Sequence, residues 1–350
     1  MKQLLKIVFF FSTFSSVAQD RIPYSVFLVG DAGEDTIPGG ALLMLKQELI
    51  AQPNSAVIFL GDNVYPSGLY KNNKVSTLHL ESQLQVLKEY RGQAFFIPGN
   101  HDWNAQGRKG LRMLKDQELY VGDYLRTKTL VSNKENATFL PVNGLPGPET
   151  VMLQDNLRLV IIDTQWFLHL YKKNYNGSKK KTKEIFYKRL DSILTFSKVN
   201  NEQVIITAHH PMYSNGQHSR SKQPQRFLLN YTPFKLIGLL GANRLYSEDM
   251  QQPTYKRMRK KILVIFKKYD NIIYVSGHDH NLQCFREDGN RYIVSGSGSK
   301  RSKLLKRKKF ESVFQDDSKT GFIKLEYSGN STISTTVYRV GEEPKKIEGY

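Results

Sequence analysis

The 350-residue chain predicts an α/β fold of two packed, mixed β-sheets flanked by helices, in one domain. Three observations carry that expectation. Short apolar runs end abruptly in glycine and polar residues, as strands buried on both faces do. Helical patterns alternate with the first three runs, which implies parallel pairing and right-handed crossovers. Later alternating segments separated by turn residues read as antiparallel strands that close the sheets. No period repeats along the chain. A content of 39% hydrophobic and 11% aromatic residues argues against global disorder.

The first run, Val26 to Val29, empties into Gly30-Asp31-Ala32-Gly33. Pro38 to Ile50 then reads as a helix, with Leu42, Leu45 and Leu49 on one face. The second run ends in Gly61-Asp62-Asn63-Val64-Tyr65, and a helix around Leu78 to Tyr90 leads to the third, which ends in Gly99-Asn100-His101-Asp102. Trp103 to Leu125 reads as a lid or loop with a short helix. Ala137 to Val142 and Thr150 to Asp163 read as antiparallel strands, with Gln154-Asp155-Asn156 at a turn. Lys181 to Phe196 is helical in pattern and delivers the chain to a fourth run ending at His209-His210-Pro211. Residues 214–256 read as a polar, substrate-facing insertion. Met258 to Tyr269 reads as a helix before the fifth run, which ends in Gly277-His278-Asp279-His280. Gln283 to Ser295 reads as a hairpin turning at Asp288-Gly289-Asn290, and Gly321 to Val340 supplies two closing strands.

Residues 1–18 carry a charged start, an apolar stretch and a small-residue end at Ser16-Val17-Ala18, the pattern of a cleaved signal peptide. Residues 19–350 are then the folded domain, and a secreted or periplasmic location is expected. No later segment is long and apolar enough for stable membrane insertion. Cys284 is the single cysteine and reads as a small buried hydrophobe. The formal charge of +19 attracts phosphorylated substrates and polyanions. Its clusters, Lys179-Lys180-Lys181-Thr182-Lys183 and the run Lys300 to Lys309, are not interleaved with aromatics, so they read as solvated loops offering weak polyanion binding.

Ligands in α/β sheets gather beyond the carboxyl ends of the strands. Here that edge collects Asp, Asn, His and Tyr without cysteine, which suits hard to borderline cations. A lone Asp after Gly is ordinarily a turn residue. Asp31 and Asp62, both at strand ends, shift the balance to metal once His278 and His280 arrive. Those two histidines would point to opposite faces of an extended backbone, so a turn after Gly277 must bring both to the site. Asn100 offers a neutral oxygen, His101 can face substrate, and one of His209 and His210 suffices as a ligand.

These five motifs resemble those of the calcineurin-like metallophosphoesterases, whose fold is a four-layer α-β-β-α sandwich. They are most similar to the small purple acid phosphatases. Most of the superfamily carries Asp-x-His at the first motif, whereas this chain has Asp31-Ala32-Gly33 and, in compensation, Tyr65 in a Gly-Asp-x-x-Tyr pattern. The resemblance implies a dinuclear centre of Fe(III) and a divalent ion (iron, zinc or manganese). Asp31, Asp62, Tyr65 and His280 would hold the ferric ion; Asp62, Asn100, His209 and His278 would hold the divalent one. His101 matches an outer-sphere histidine. His218, nine positions after His209, matches a further active-site histidine. The implied reaction is attack by a metal-bound hydroxide on a phosphate monoester, on a small molecule or a protein, with an acidic optimum. Phosphodiester or nucleotide hydrolysis is the alternative on the same centre, and a non-catalytic polyanion-binding or adhesion protein is the reading outside enzymes.

Overall fold

Every residue of the first strand is buried, although its side chains alternate between two faces, so the sheet it enters must be covered on both sides. The computed structural model describes residues 23–70, 72–105, 107–169, 178–219, 250–329 and 333–350. The proposed leader and most of the 214–256 segment lie outside them.

Sheet one has the order β13-β12-β11-β1-β2-β3, and its strands are β1 (Tyr24–Val29), β2 (Ser55–Phe59), β3 (Gln93–Phe96), β11 (Gly321–Tyr327), β12 (Ile333–Arg339) and β13 (Lys345–Lys346). β1, β2 and β3 are parallel, and β11 joins β1 antiparallel. Sheet two has the order β10-β8-β9-β7-β6-β5-β4, from β4 (Glu149–Gln154), β5 (Leu157–Ile161), β6 (Gln203–Thr207), β7 (Ile273–Ser276), β8 (Leu282–Glu287), β9 (Asn290–Ser295) and β10 (Phe314–Asp316). β5, β6, β7 and β9 run parallel.

The alternation resolves into layers. Val26, Leu28, Ile58 and Leu325 of sheet one share an inter-sheet core with Leu159, Ile205, Val275 and Ile293 of sheet two. Phe27, Phe59, Val160 and Ile206, one residue out of phase, belong to the cluster beneath the helices. Those helices are α1 (Gly40–Ala51), α2 (Lys74–Leu84), α3 (Gly110–Lys128), α4 (Gln165–Leu168), α5 (Lys179–Val199) and α6 (Pro253–Phe266). The expected sandwich of two mixed sheets flanked by helices is therefore observed. Leu42, Leu45 and Leu49 are buried on α1 as expected. The β8–β9 turn places Asp288 and Gly289 at φ 50° and 74°, the left-handed pair of a tight hairpin. Cys284 lies in the inter-sheet core, where burial pushes its thiol up to about 12 and leaves it inert.

Three expectations are corrected. Trp103 to Leu125 is not a lid: Trp103 is fully buried and α3 is a 19-residue helix that buries Leu114, Gln117, Val121 and Leu125. Ala137 to Val142 forms no antiparallel strand; it touches β3 through one parallel bridge, Phe96 to Phe139. Asn133 already occupies the neighbouring stretch of that edge, accepting from the Ala94 N–H at 2.9 Å and donating to the Ala94 carbonyl at 3.0 Å. The cluster Lys179 to Lys183 is also no loop, since it opens α5 behind the cap Ser178.

Among the described residues no helix is long and apolar enough to cross a membrane.

Candidate metal centre

The tips of β1, β2, β3, β6 and β7 meet at one edge of the sandwich, and backbone hydrogen bonds lock them together. Asp31 N–H donates to the Gly61 carbonyl, and Gly277 N–H to that of His209, each at 3.0 Å. The approach demands glycine: a Cβ on Gly61, at φ 88°, would lie 2.6 Å from the Gly99 nitrogen. Asp31, Asp62 and His278 adopt φ values of 58°, 54° and 71°, a left-handed backbone that side chains favour little. That turn at His278 is what brings both histidines of the Gly-His-Asp-His run to the site.

Two groups of donors result. Tyr65 Oη lies 3.0 Å from Asp31 Oδ1, 3.2 Å from Asp62 Oδ2 and 3.1 Å from His280 Nε2. On the other side His209 Nε2 lies 3.4 Å from Asp62 Oδ2, 2.9 Å from Asn100 Oδ1 and 3.2 Å from His278 Nδ1. Asp62 Oδ2 belongs to both. Asp62, His209 and His278 alone form a buried group able to hold an ion. All seven sequence-derived ligand candidates are thus brought together.

The second group is poised for positive charge. His209 Nδ1–H donates to the Leu60 carbonyl at 2.8 Å, which turns the Nε2 lone pair toward Asn100, His278 and Asp62. His278 turns its Nδ1 to the same point, 3.1 Å from Asn100 Oδ1. A cation at that convergence satisfies lone pairs that otherwise face one another, so the residues fit a metal.

Burial alone would raise the Asp62 carboxyl, but His209 and His101 beside it hold it below the usual carboxylate range. Burial likewise opposes charge on His209, and the Asp62 carboxylate overrides it, so a proton stands in for a cation. Burial, with His218 and His210 nearby, keeps His278 neutral and able to ligate. Burial and the carboxylates of Asp31 and Asp62 push the Tyr65 phenol well above its ordinary value. Only a strongly Lewis-acidic cation would deprotonate it.

His101 and His218 flank this core. The His101 ring packs 4.5 Å from that of Tyr65 and its Nε2 is 3.9 Å from Asp62 Oδ2. The His218 ring lies 4.1 Å from that of His278, tilted by 34°, in a turn (Gln217–Ser219) whose His218 N–H donates to Asp279 Oδ1.

Sequence reasoning missed the supporting residues. Buried Asp102 accepts from the Gly99 and Asn63 N–H groups and from Gln117 Nε2. Buried Asp279 accepts from Ser214 Oγ at 2.5 Å. Their places inside the motifs were the available signal. Lys300 gave no signal: its ammonium sits 3.6 Å above the Tyr65 ring and 2.6 Å from Glu34, so the start of that basic run borders the site rather than a solvated loop.

The family model for calcineurin-like phosphoesterases matches residues 26–282. The chain belongs to that family. The family's chemistry is metal-dependent phosphoester hydrolysis at a two-metal site. The chain is also 24% identical over 360 residues to Glideosome-associated protein 50 of Plasmodium falciparum, covering 96% of this chain and 78% of that one. A solved Plasmodium structure described as GAP50, the anchor in the inner membrane complex, aligns with TM-score 0.59 at 19% identity over 93% of this chain and 88% of that one. Purple acid phosphatase PPD1 from yellow lupin seeds aligns with TM-score 0.52 at 16% identity, over 92% of this chain and 52% of that one. At such identities the structural likeness shows the fold.

Proposed function

We propose that the chain is a dinuclear-metal phosphomonoesterase of the purple acid phosphatase type, acting on phosphorylated small molecules or proteins. The observation that carries this reading is the single oxygen, Asp62 Oδ2, within 3.4 Å of donors from both groups. Asp31, Asp62, Tyr65 and His280 would hold a ferric ion, and Asp62, Asn100, His209 and His278 a divalent iron, zinc or manganese. Bound there, the pair supplies Lewis acidity toward a phosphoryl oxygen and lowers the pKa of water.

The chain's own residues do the rest. Asp62 and Asp31 contribute the negative charge that keeps cations in a buried site. His101, whose side chain is 29% exposed, stands at the open side, where it can orient a phosphoryl oxygen or protonate a leaving alcohol. His218 offers a second imidazole from the opposite side, held by Asp279. Lys300 adds positive charge at the rim. The leader-type N-terminus supports an exported enzyme.

The test pairs a spectrum with a rate. The metal-loaded protein should contain iron, absorb in the visible and hydrolyse an aryl phosphate monoester faster than the matching diester. Tyr65→Phe should abolish the absorption band. An iron-free, colourless and fully active preparation would falsify the ferric assignment; a faster diester rate would make the chain a phosphodiesterase on the same centre. Likeness to a protein described as an anchor supports a second reading, a docking protein on this fold. Metal-loaded chain without turnover would exclude the hydrolase reading and leave this one standing.

A further inference from the structure

We propose that the outer face built by α5 and α6 binds a linear, phosphate-rich polyanion beside the candidate metal centre. Neither the cluster Lys179 to Lys183 nor the α6 run Lys256 to Lys261, which sequence reasoning did not single out, is interleaved with aromatics along the chain, but the fold sets rings beside both. Lys179 lies over Trp166 at 5.1 Å, Lys261 over Tyr187 at 5.1 Å and Arg259 over Tyr213 at 4.7 Å. Along α6 two grooves open, one on each side. One, of about 660 Å³, is lined by Tyr213, Lys256, Arg259, Lys309 and Phe310. The other, of about 560 Å³, is lined by Tyr187, Lys188, Arg257, Lys260 and Lys261, with Glu184 the one acid in either lining among the described residues and Asp288 at the rim of the first, paired with Lys267.

The charge is arranged against the helix's own interest. α6 contains no Asp or Glu, and Lys256/Lys260 and Arg257/Lys261 are like-charge neighbours one turn apart. Neither α5 nor α6 has an acid in its first turn, where the helix dipole favours one. The ion pairs on this face lie at the far end, Lys267 with Asp288 and Lys268 with Asp191. Burial, with Arg259 and Lys256 nearby, pulls the Lys309 amine down. A run of phosphates along α6 relieves all of this.

The form of the surface selects the occupant. The exposed large apolar side chains of these helices are Val264 on α6 and Ile185, Phe196 and Val199 on α5, and of the four only Val264 lines a groove, too little to seat in a bilayer. The Tyr187 and Tyr213 rings are covered by cations rather than open to stacking, so bases gain nothing that phosphates do not. The first groove also adjoins the site. Lys309 Nζ donates to the Ser219 carbonyl at 3.3 Å, and Met250 N–H to that of His218 at 3.0 Å.

The test is anisotropy of an end-labelled linear inorganic polyphosphate with the full chain, titrated with salt. Displacing counterions from roughly four phosphates gives a slope of about −3 in log affinity against log salt. Replacing Lys256, Arg257, Lys260 and Lys261 by Gln should weaken binding at least roughly tenfold and flatten that slope. The same number of changes elsewhere (Arg91, Arg112, Lys115 and Lys346 to Gln) should leave binding within about twofold. The pair Arg257→Gln and Lys261→Gln, a smaller perturbation, should give an intermediate loss. His209→Ala should bind polyphosphate as the parent does, which separates this claim from the hydrolase reading. Equal losses in the α6 and control sets would reduce the effect to net charge and overturn the proposal. So would tighter binding to single-stranded DNA, or to vesicles of anionic lipid, than to polyphosphate.

Discussion

Lys300 shows what a single side chain adds at the rim of the centre. Its ammonium is shared between the Tyr65 ring and the Glu34 carboxylate, and a phosphate arriving at the open side competes for it. Lys300→Met should raise KM for an aryl phosphate about fivefold, worth about 1 kcal/mol for a partly exposed charge, with a smaller change in kcat. A fall in kcat at unchanged KM would move Lys300 from binding to chemistry. Asp163 supplies a pH prediction. Burial pushes its carboxyl up to about 7, opposed by donation from the Trp166 N–H and, at 2.8 Å, from Trp103 Nε1. The native state then binds a proton that the unfolded chain, with a pKa near roughly 4, has released, so this group's stabilisation is complete below that value and fades as pH rises through about 7. The melting temperature of the parent relative to Asp163→Asn should therefore be highest near pH ~4 and fall toward pH ~8. A flat difference would place the charge elsewhere. The ligand residues were legible because each closes a buried apolar run. Lys300 and Asp163 were not, since their roles come from neighbours distant in the chain.

α3 was the element least visible in the sequence, and the reason is physical. Its buried stripe should read apolar at Leu114, Gln117, Val121 and Leu125, but the second place is a glutamine. That residue is polar because it donates from Nε2 to Asp102 Oδ1 at 3.0 Å, bracing the loop that carries Asn100 and His101. Function thus interrupted the pattern by which a helix is recognised, and Gly110 and Gly122 diluted it further. The strands fared better, since burial on both faces leaves an unbroken apolar run. The exception, Ala137 to Val142, alternates plausibly but carries Pro141, which has no N–H to give a ladder, and Asn133 caps the adjoining edge of β3. If α3 is a structural cover rather than a lid, Leu114→Ala should cost about 3 kcal/mol in urea unfolding while metal content stays unchanged. A mobile lid would lose little stability and show an altered KM instead.

At the scale of the whole molecule the centre joins two sheets that otherwise meet mainly through side chains. Asp31, Asp62 and Asn100 follow strands of sheet one, and His209, His278 and His280 follow strands of sheet two. The inter-sheet core of Val26, Ile58, Ile205 and Val275 holds the layers along their length. At the site edge backbone hydrogen bonds are joined by carboxylates and imidazoles whose lone pairs call for a cation between them. Several bonds there cross the sheets: the His278 N–H donates to Asp31 Oδ2 at 2.7 Å, the Gly30 N–H to the Ser295 carbonyl at 2.8 Å and His209 Nδ1–H to the Leu60 carbonyl at 2.8 Å. Removing metal with a chelator should lower the melting temperature, because ions bound only by the native state stabilise it by mass action. The loss should also be local. Hydrogen exchange should accelerate at the amides of Gly30, Asp31, Gly277 and His278, which open with the edge, and stay slow at Leu325 and Thr335, paired deep in the β11–β12 ladder. Uniform acceleration across both sheets would mean that metal supports global stability without acting as a clamp. No acceleration at all would mean that the strand tips are held by the backbone bonds alone.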